Sequence, residues 1–299
     1  MIVNRHATSA TGPLCDLVAR SLAGLVELEI ERTQYRGHAR ELAAATNAEL
    51  VIVLGGDGSV NEVVNGLMSQ QAPRPRLAVI PAGGGNVLAR GLGLPANVSA
   101  ATHHVREVIE SGKYRTIGLG LAGDRYFTFS AGLGMDAEVV GEVERQRIAG
   151  RRESASLFLR TMTRLYFRGT DRRRPALTLE RDGASSAGQL FMCIVTNRSP
   201  WTYLRGRALL PVPDPDFNSG LDVLALRRIH FSTILGVVGQ MLWVRKRSPR
   251  GRDLLSAHGL ESMTLRSVRP IAFQVDGEYL GETEAVKFQF VPDALQVVA

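Results

Sequence analysis

The sequence predicts an α/β plus β protein, with an N-terminal doubly wound α/β domain over residues 1–118 and a β-sandwich-like domain over residues 119–299. Three observations carry this reading. Between Arg40 and Leu119, short β-rich apolar runs alternate with helical ones, the grain of a parallel sheet covered by helices. From Tyr114 onward most segments are strand-like and are broken by Gly, Asp and Pro. Two glycine-rich turns also follow consecutive buried strands of the first half. The chain has 299 residues, enough for two cores, since a single core stops growing at about 250–300 residues.

Taken in order, RELAAATN (Arg40–Asn47) reads as a helix, VIVLGG (Val51–Gly56) as a buried strand and SVNEVVNGLMSQ (Ser59–Gln70) as a helix. LAVIP (Leu77–Pro81) follows as a second strand, and ANVSAATHHVREVIESG carries apolar residues at helical spacing. Strand-like segments then succeed one another: YRTIGLGLAG, RYFTFSAG, PALTLERDG, QLFMCIVTN, GLDVLALRRI, MTLRSV, IAFQVDGEYL and AVKFQFV. Three helical insertions interrupt them, DAEVVGEVERQR, SASLFLRTMTRLYF and the run Phe231–Val244. The domain boundary is expected near Gly118. The sequence leaves open whether the last strand returns to the first domain.

Composition narrows the class. Apolar residues make up 44%, and 36 Lys and Arg stand against 29 Asp and Glu, for a net charge of +7. Such a chain is an ordinary globular protein rather than a disordered tail. The positive excess suits nucleic acid, anionic lipid surfaces or phosphorylated substrates. Three basic clusters lie in the second half, Arg145–Arg152, Arg168–Arg174 and Arg245–Arg252. Aromatic residues are not interleaved with them, so no nucleic-acid partner is expected. Cys15 and Cys193 form no CxxC, and no His cluster has metal-ligand spacing, which speaks for a reduced chain without structural zinc. The start, MIVNRHATSATG, shows no secretory pattern, so a cytoplasmic location is expected. The longest apolar stretch, Phe231–Val244, is shorter than the ~20 residues a bilayer span needs. With Trp243 and basic ends it has the composition of an interfacial segment, and packing against its own sheet is the alternative.

The segment LGGDGSVNEVVNGL (Leu54–Leu67) carries the chemistry. A strand ends at Gly55, glycines 56 and 58 permit close backbone approach, and the helix behind is expected to take Ser59 as its cap. Such a turn aims amides and the positive helix end at an anion. Asp57 inside it is informative, because a carboxylate beside phosphates is repulsive unless it meets a metal ion or a hydroxyl. The Walker A pattern and the dinucleotide fingerprint are both absent. A second turn, PAGGGNVLARGLGLP, places Gly84, Gly85 and Asn86 after the next strand. Turns at the carboxyl ends of consecutive parallel strands face one crevice, where open α/β sheets bind ligands. Far along the chain Asp276 and Glu278 flank Gly277. They read either as carboxylates able to accept a proton from a hydroxyl or as a solvated hairpin turn.

Five segments in this order resemble the diacylglycerol kinase catalytic domain family, in its bacterial lipid kinase branch, related to sphingoid-base kinases and NAD kinases. They are GGDGSVNEVVNGL, PAGGGNVLARGLGLP, FSAGLGMDAEVV (Phe129–Val140), SGLDVLAL (Ser219–Leu226) and QVDGEYLGE (Gln274–Glu282). The resemblance implies ATP- and Mg-dependent phosphorylation of a lipid hydroxyl in an interdomain cleft, with diacylglycerol going to phosphatidic acid. A sphingoid base or another lipid as acceptor, and a non-catalytic nucleotide- or lipid-binding regulator, are the alternatives. It implies a membrane lipid as partner and peripheral attachment to the inner face of the membrane; exposed strand edges are also compatible with a homodimer. By the same resemblance Gly55, Gly56, Asp57, Gly58, Ser59, Asn61 and Glu62 cradle the ATP phosphates together with Gly84, Gly85 and Asn86. Thr33 contacts the nucleotide, and Asp57, Asp276 and Glu278 are the catalytic acids. Asp216, Ser219 and Leu221 fall by position on the family's structural Mg ligands, with one acid fewer than the family's usual pair. The chain also departs from the pattern after Asn4, where Arg5-His6-Ala7 follows, and at Gly84-Gly85, where Gly-Thr is common.

Overall fold

The computed structural model describes residues 1–4, 12–150, 155–169, 174–181, 184–197, 200–204, 206–211, 216–243 and 248–299. The departure after Asn4 and much of the three basic clusters lie outside them. The chain divides into two compact units, Met1–Leu119 with Pro292–Ala299, and Gly120–Val291.

The first unit runs β1 (Ile2–Val3), α1 (Gly12–Leu22), β2 (Glu31–Arg32), α2 (His38–Ala45), β3 (Leu50–Gly55), α3 (Asp57–Met68), β4 (Arg76–Pro81), α4 (Val87–Gly91) and α5 (Val98–Ser111). Its strands lie in the order β2-β1-β3-β4, all parallel. Only the first residue of β3 escapes burial, which is why LVIVLG is apolar throughout instead of alternating. Ile52, Leu54, Ala78 and Ile80 share one core with Cys15, Val18 and Leu22 of α1 and Ala101 and Val105 of α5. The α5 helix has local start and stop signals: the Asn97 side chain accepts from the amides of Ser99 and Ala100 at 2.9 and 3.2 Å, and Gly112 ends it at φ 65°. Helices α2 and α3 touch so closely that a Cβ on Gly66 would lie 2.3 Å from the Arg40 carbonyl oxygen.

The second unit takes up β5 (Arg115–Ala122), which starts in the first. It continues with β6 (Arg125–Phe127), β7 (Ser130–Gly134), α6 (Met135–Ile148), α7 (Ala155–Arg168), β8 (Leu177–Arg181), β9 (Ala184–Leu190) and β10 (Met192–Thr196). After a ribbon of β11 (Thr202–Leu204) and β12 (Arg207–Leu209) come β13 (Leu221–Leu226), α8 (Phe231–Trp243), β14 (Leu254–Leu260), β15 (Ser262–Val275) and β16 (Glu278–Val297). Strands β14-β13-β10-β7-β15-β16 follow one another in the sheet, and all the pairings from β14 through β16 are antiparallel. Strand β16 ends in the first unit, where Val297 pairs in parallel with Leu77.

Among the differences from the sequence reading, two bear on the site. MTLRSV and IAFQV are one strand, β15, whose first half pairs with β8 and whose end pairs with β7. Its register against β16 shifts between Arg266 and Ile271, around Pro270, which has no N–H to give to a ladder. RYFTFSAG, expected as one strand, is broken at Thr128 and Phe129 for a reason that lies in the site below. Leu133, Cys193, Val195, Leu221, Val223, Leu265 and Phe288 form the core these strands enclose. One face of α8 packs Val237 and Met241 onto Leu209, Leu224 and Leu226, while Phe231 and Leu235 stay exposed.

Candidate functional site

In the first unit the two glycine turns meet backbone to backbone. A Cβ built on Gly83 would stand 2.6 Å from the Gly56 Cα, and one on Gly56 would stand 3.2 Å from the Gly83 Cα. Ala82 N–H donates to the Gly55 carbonyl (2.9 Å), extending the β3–β4 ladder up to this contact. Gly55 itself has no room for a side chain, since its Cβ would fall 2.9 Å from the Ser59 Cβ.

Helix α3 begins at Asp57, two residues before the expected start. Its cap is Gly56, with no side-chain hydrogen bond at that position. Ser59 is therefore not the cap; its Oγ accepts from Asn4 Nδ2 at 2.7 Å and ties the end of β1 to the turn. The Asp57 carboxylate has a partner within the turns, Val87 N–H donating to Oδ1 at 2.6 Å. Gly85 must lack a side chain for this, because its Cβ would come 2.7 Å from Asp57 Oδ2. Asn86, at φ 49°, closes the loop by accepting from Gly83 N–H (3.0 Å) and donating to the Gly83 carbonyl (2.7 Å). Asp57 is thus a brace between the turns, and Gly58, Gly84 and Gly85 are its exposed backbone.

Two further residues from the expected phosphate cradle point elsewhere. Glu62 accepts from Gly37 N–H at 2.9 Å and Ala39 N–H at 3.2 Å, so both its oxygens serve the start of α2. Asn61 is buried and accepts from Asn65 one turn on. Helical geometry explains both, since residues four and five positions beyond Asp57 have rotated off the helix end. Thr33 is buried beside β2, its N–H donating to the Val3 carbonyl at 3.0 Å.

In the second unit the acidic triplet is a two-residue hairpin turn. Val275 pairs with Glu278 across Asp276 and Gly277, which sit at φ 47° and 77°, the type I′ geometry that Asp-Gly favours. Asp276 and Glu278 have different fates. Asp276 is buried and accepts four hydrogen bonds: Thr128 N–H and Oγ1–H on Oδ2 (2.7 and 2.9 Å), Phe129 and Ser130 N–H on Oδ1 (3.0 and 3.1 Å). These amides turn inward to the carboxylate, which is what breaks RYFTFSAG. Asp276 is therefore an anchor, with both carboxylate oxygens engaged by the Thr128–Ser130 bend. Glu278 pairs with Arg125, their side chains 18% and 23% exposed, so its carboxylate is oriented and still reachable by solvent.

The turn is held from a second side. Gly277 N–H donates to Gln274 Oε1 at 2.9 Å, and Gln274 Nε2 donates to Asp136 Oδ2 at 2.7 Å. Burial pushes the Asp136 carboxyl up to about 6, against the pull of hydrogen bonds from Gln274 and Trp201. Burial, with the Asp136 charge behind it, also pushes the Cys193 thiol up.

Asp216 accepts from Asn218 N–H at 3.1 Å and from the Ser219 hydroxyl, closing a small turn before Leu221 opens β13. Among the described residues no group of three or more His, Cys, Asp or Glu is placed to hold a metal ion. Among the described residues of this turn, Asp216 is the acid, and its carboxylate already serves two protein donors, which does not fit a dedicated cage.

Residues 1–120 match the family model for the diacylglycerol kinase catalytic domain. The match covers the N-terminal part of the chain, which holds both glycine turns. It is 29% identical over 251 residues to the diacylglycerol kinase of Bacillus subtilis (strain 168), a match covering 82% of this chain and 76% of that protein. The crystal structure of a diacylglycerol kinase from Bacillus anthracis str. Sterne superposes with a TM-score of 0.71 at 20% identity, over 99% of this chain and 94% of that one. An NAD kinase from Archaeoglobus fulgidus in complex with ATP superposes with a TM-score of 0.54 at 12% identity, over 100% and 92%. These likenesses show the fold, an N-terminal α/β part and a C-terminal β-rich part. Within the diacylglycerol kinase catalytic domain family reading, sequence reasoning did not single out Arg125, Thr128, Asp136 or Gln274. Only Asp136 and Gln274 carried a signal, as polar residues inside two of the five motifs.

Proposed function

We propose that the chain is a lipid kinase that moves the γ-phosphoryl group of ATP, taken as its magnesium complex, to the hydroxyl of diacylglycerol and yields phosphatidic acid. The observation that carries this reading is the locked pair of glycine turns. Their exposed backbone lies at the N-terminal end of a twelve-residue helix without a side-chain cap, a ready place for phosphate oxygens. The match of residues 1–120 to the diacylglycerol kinase catalytic domain model supports a diacylglycerol acceptor.

In this reading Gly56, Gly58, Gly84 and Gly85 offer backbone to the phosphates, while Asp57 and Asn86 keep the two turns in one conformation. Glu278 takes the proton from the lipid hydroxyl as its oxygen bonds to the γ-phosphorus and the bond to ADP breaks. Arg125 orients that carboxylate. Phosphoryl transfer needs little more from the protein than positioning and charge placement. No helix among the described residues is long and apolar enough to cross a membrane. Contact with the lipid surface is assigned to Phe167, Phe231 and Leu235, exposed large apolar side chains at the end of α7 and the start of α8. Tyr166, whose ring contacts both Phe167 and Phe231, supports them.

The test incubates purified protein with terminally labelled ATP, Mg and vesicles containing diacylglycerol, with parallel arms offering a sphingoid base and a soluble acceptor. Label in phosphatidic acid supports the reading. Label confined to another arm refutes the acceptor assignment, and no labelled product in any arm refutes the kinase.

A further inference from the structure

The acidic turn that presents Glu278 has a support that the reaction scheme does not use. We infer that Asp136 and Gln274 form a positioning relay, in which the Asp136 carboxylate fixes the Gln274 amide and that amide fixes the turn from which Glu278 projects. The inference rests on the lipid kinase reading, because Glu278 is what the relay serves.

Three features of the geometry carry it. First, the contacts are consecutive and polar: Asp136 Oδ2 accepts from Gln274 Nε2 at 2.7 Å, and the same amide's Oε1 accepts from Gly277 N–H at 2.9 Å. Gln274 is only 2% exposed, so its amide orientation is settled inside the protein, without help from water. Second, the strand beside the relay is built to admit it. A Cβ on Gly132 of β7 would stand 2.0 Å from Asp136 Oδ2 and 2.9 Å from Gln274 Nε2. Only glycine there lets a carboxylate from the first turn of α6 lie across the strand. Third, the turn is already tied from its other side by four hydrogen bonds to Asp276. A fold that needed only a hairpin has one with those. The second tie fixes the remaining freedom, rotation of Gly277 and of the residue after it, which is Glu278.

The relay keeps an acid where burial opposes its charge, and among the described residues the groups that act on it are the neutral side chains of Gln274 and Trp201. Gln274 and Trp201 supply its hydrogen bonds, and Cys193 on β10 is the titratable neighbour its charge reaches. Burial keeps the Cys193 thiol protonated, so that group adds no charge of its own. A neutral, well-packed residue would remove this desolvation, and the acid is better explained by what it orients.

The sequence pattern behind this is simple. Asp136 lies four residues after Gly132, and Gln274 lies two before Asp276. Two of the five motifs thereby become one device, since FSAGLGMDAEVV supplies the acceptor and its glycine slot while QVDGEYLGE supplies the amide and the acid it aims.

The experiment uses the full chain and measures kcat, the KM for ATP and thermal unfolding, with diacylglycerol vesicles as acceptor. Asp136→Ala is expected to lower kcat by on the order of tenfold to a hundredfold, the effect of a displacement near 1 Å, with the KM for ATP within about twofold. Asp136→Asn keeps an oxygen facing Gln274 Nε2 and is expected to recover most of that loss. Gln274→Glu puts two carboxyls in one buried site, where they share a proton at low pH and repel without it. Its turnover is expected to approach that of the natural protein near pH 5.5 and to fall away toward pH 8.5. Equal losses in Asp136→Ala and Asp136→Asn, or a Gln274→Glu profile parallel to that of the natural protein, would overturn the relay. Failure of the natural protein to phosphorylate any lipid would instead overturn the kinase reading, so the two failures are distinct.

Discussion

A single methyl group at Gly83 tests whether the two turns must touch. The Cβ of Gly83→Ala would lie 2.6 Å from the Gly56 Cα and 3.0 Å from Asn86 Oδ1. Ordinary contact begins near 3.4 Å, so the turns have to part by roughly 0.8 Å or more. Neither obstacle yields easily, since the Gly56 Cα is backbone and Asn86 is fixed by two hydrogen bonds to Gly83. Overpacking of this kind costs about 1–3 kcal/mol of stability. Its effect on catalysis should be larger in proportion, because a displacement near 1 Å of positioning groups costs on the order of 100-fold. The expected result is a fall in kcat/KM for ATP of roughly 30- to 100-fold, together with a modest drop in Tm. Gly66→Ala is the contrast. Its Cβ would meet the Arg40 carbonyl oxygen at 2.3 Å, so it should lower Tm through the α2–α3 packing and leave the KM for ATP near that of the natural protein. A Gly83→Ala enzyme with undiminished kcat/KM for ATP would show that the backbone contact does not shape the phosphate site.

The two acids of the hairpin should separate cleanly. Asp276→Ala strands the buried donors of Thr128, Phe129 and Ser130 and is expected to cost about 3 kcal/mol by denaturant unfolding, with activity lost as a consequence. Glu278→Gln is expected to lose turnover by more than 100-fold at nearly unchanged Tm, measured with vesicle-presented diacylglycerol. The Asp136 carboxyl holds its proton up to about pH 6 when folded, against a value of 3.8 for the free group. The native state therefore binds the extra proton within that window, stability falls as the pH rises through it, and the full penalty is present above it. Asp136→Asn should then melt higher than the natural protein at pH 8, by the equivalent of about 1–3 kcal/mol, and the gain should vanish toward pH 4 in a thermal unfolding series. Leu235→Ser, on the exposed face of α8, should reduce co-sedimentation with diacylglycerol vesicles several-fold and leave turnover of a short-chain, water-soluble diacylglycerol within about twofold.

Elements whose hydrophobic period is long and regular were legible from the sequence. The runs around β3, β4, α5, α6 and α8 were located to within a few residues, because burial on one face or on both leaves a mark on the residue order. Segments lacking such a mark were missed or misdrawn. Two-residue strands such as β1 and β2 are too short to show a period, and their place depends on parallel neighbours, Val53 and Leu54 of β3 for β1. MTLRSV and IAFQV read as two strands because Pro270 looks like a terminator. In the fold it occupies a register shift, where its missing N–H breaks no ladder bond.

The site was legible as a place and illegible as a set of roles, and the reason is where carboxylates send their lone pairs. A glycine turn is recognisable because its cause is local: absent side chains allow absent distances, as Gly56 and Gly83 do. The role of an acid is set by whatever donor the fold brings to it, and that donor is remote in sequence. Asp57 answers an amide 30 residues away, Glu62 the start of α2, and Asp276 a bend 146 to 148 residues away. All three read as ligand-facing acids in one dimension, and all three hold backbone in place. Glu278, two residues on from Asp276, pairs with the side chain of Arg125 and is 18% exposed. In the proposed reaction Glu278 is the acid that acts on the hydroxyl, while Asp57, Glu62 and Asp276 supply the rigidity that such chemistry requires.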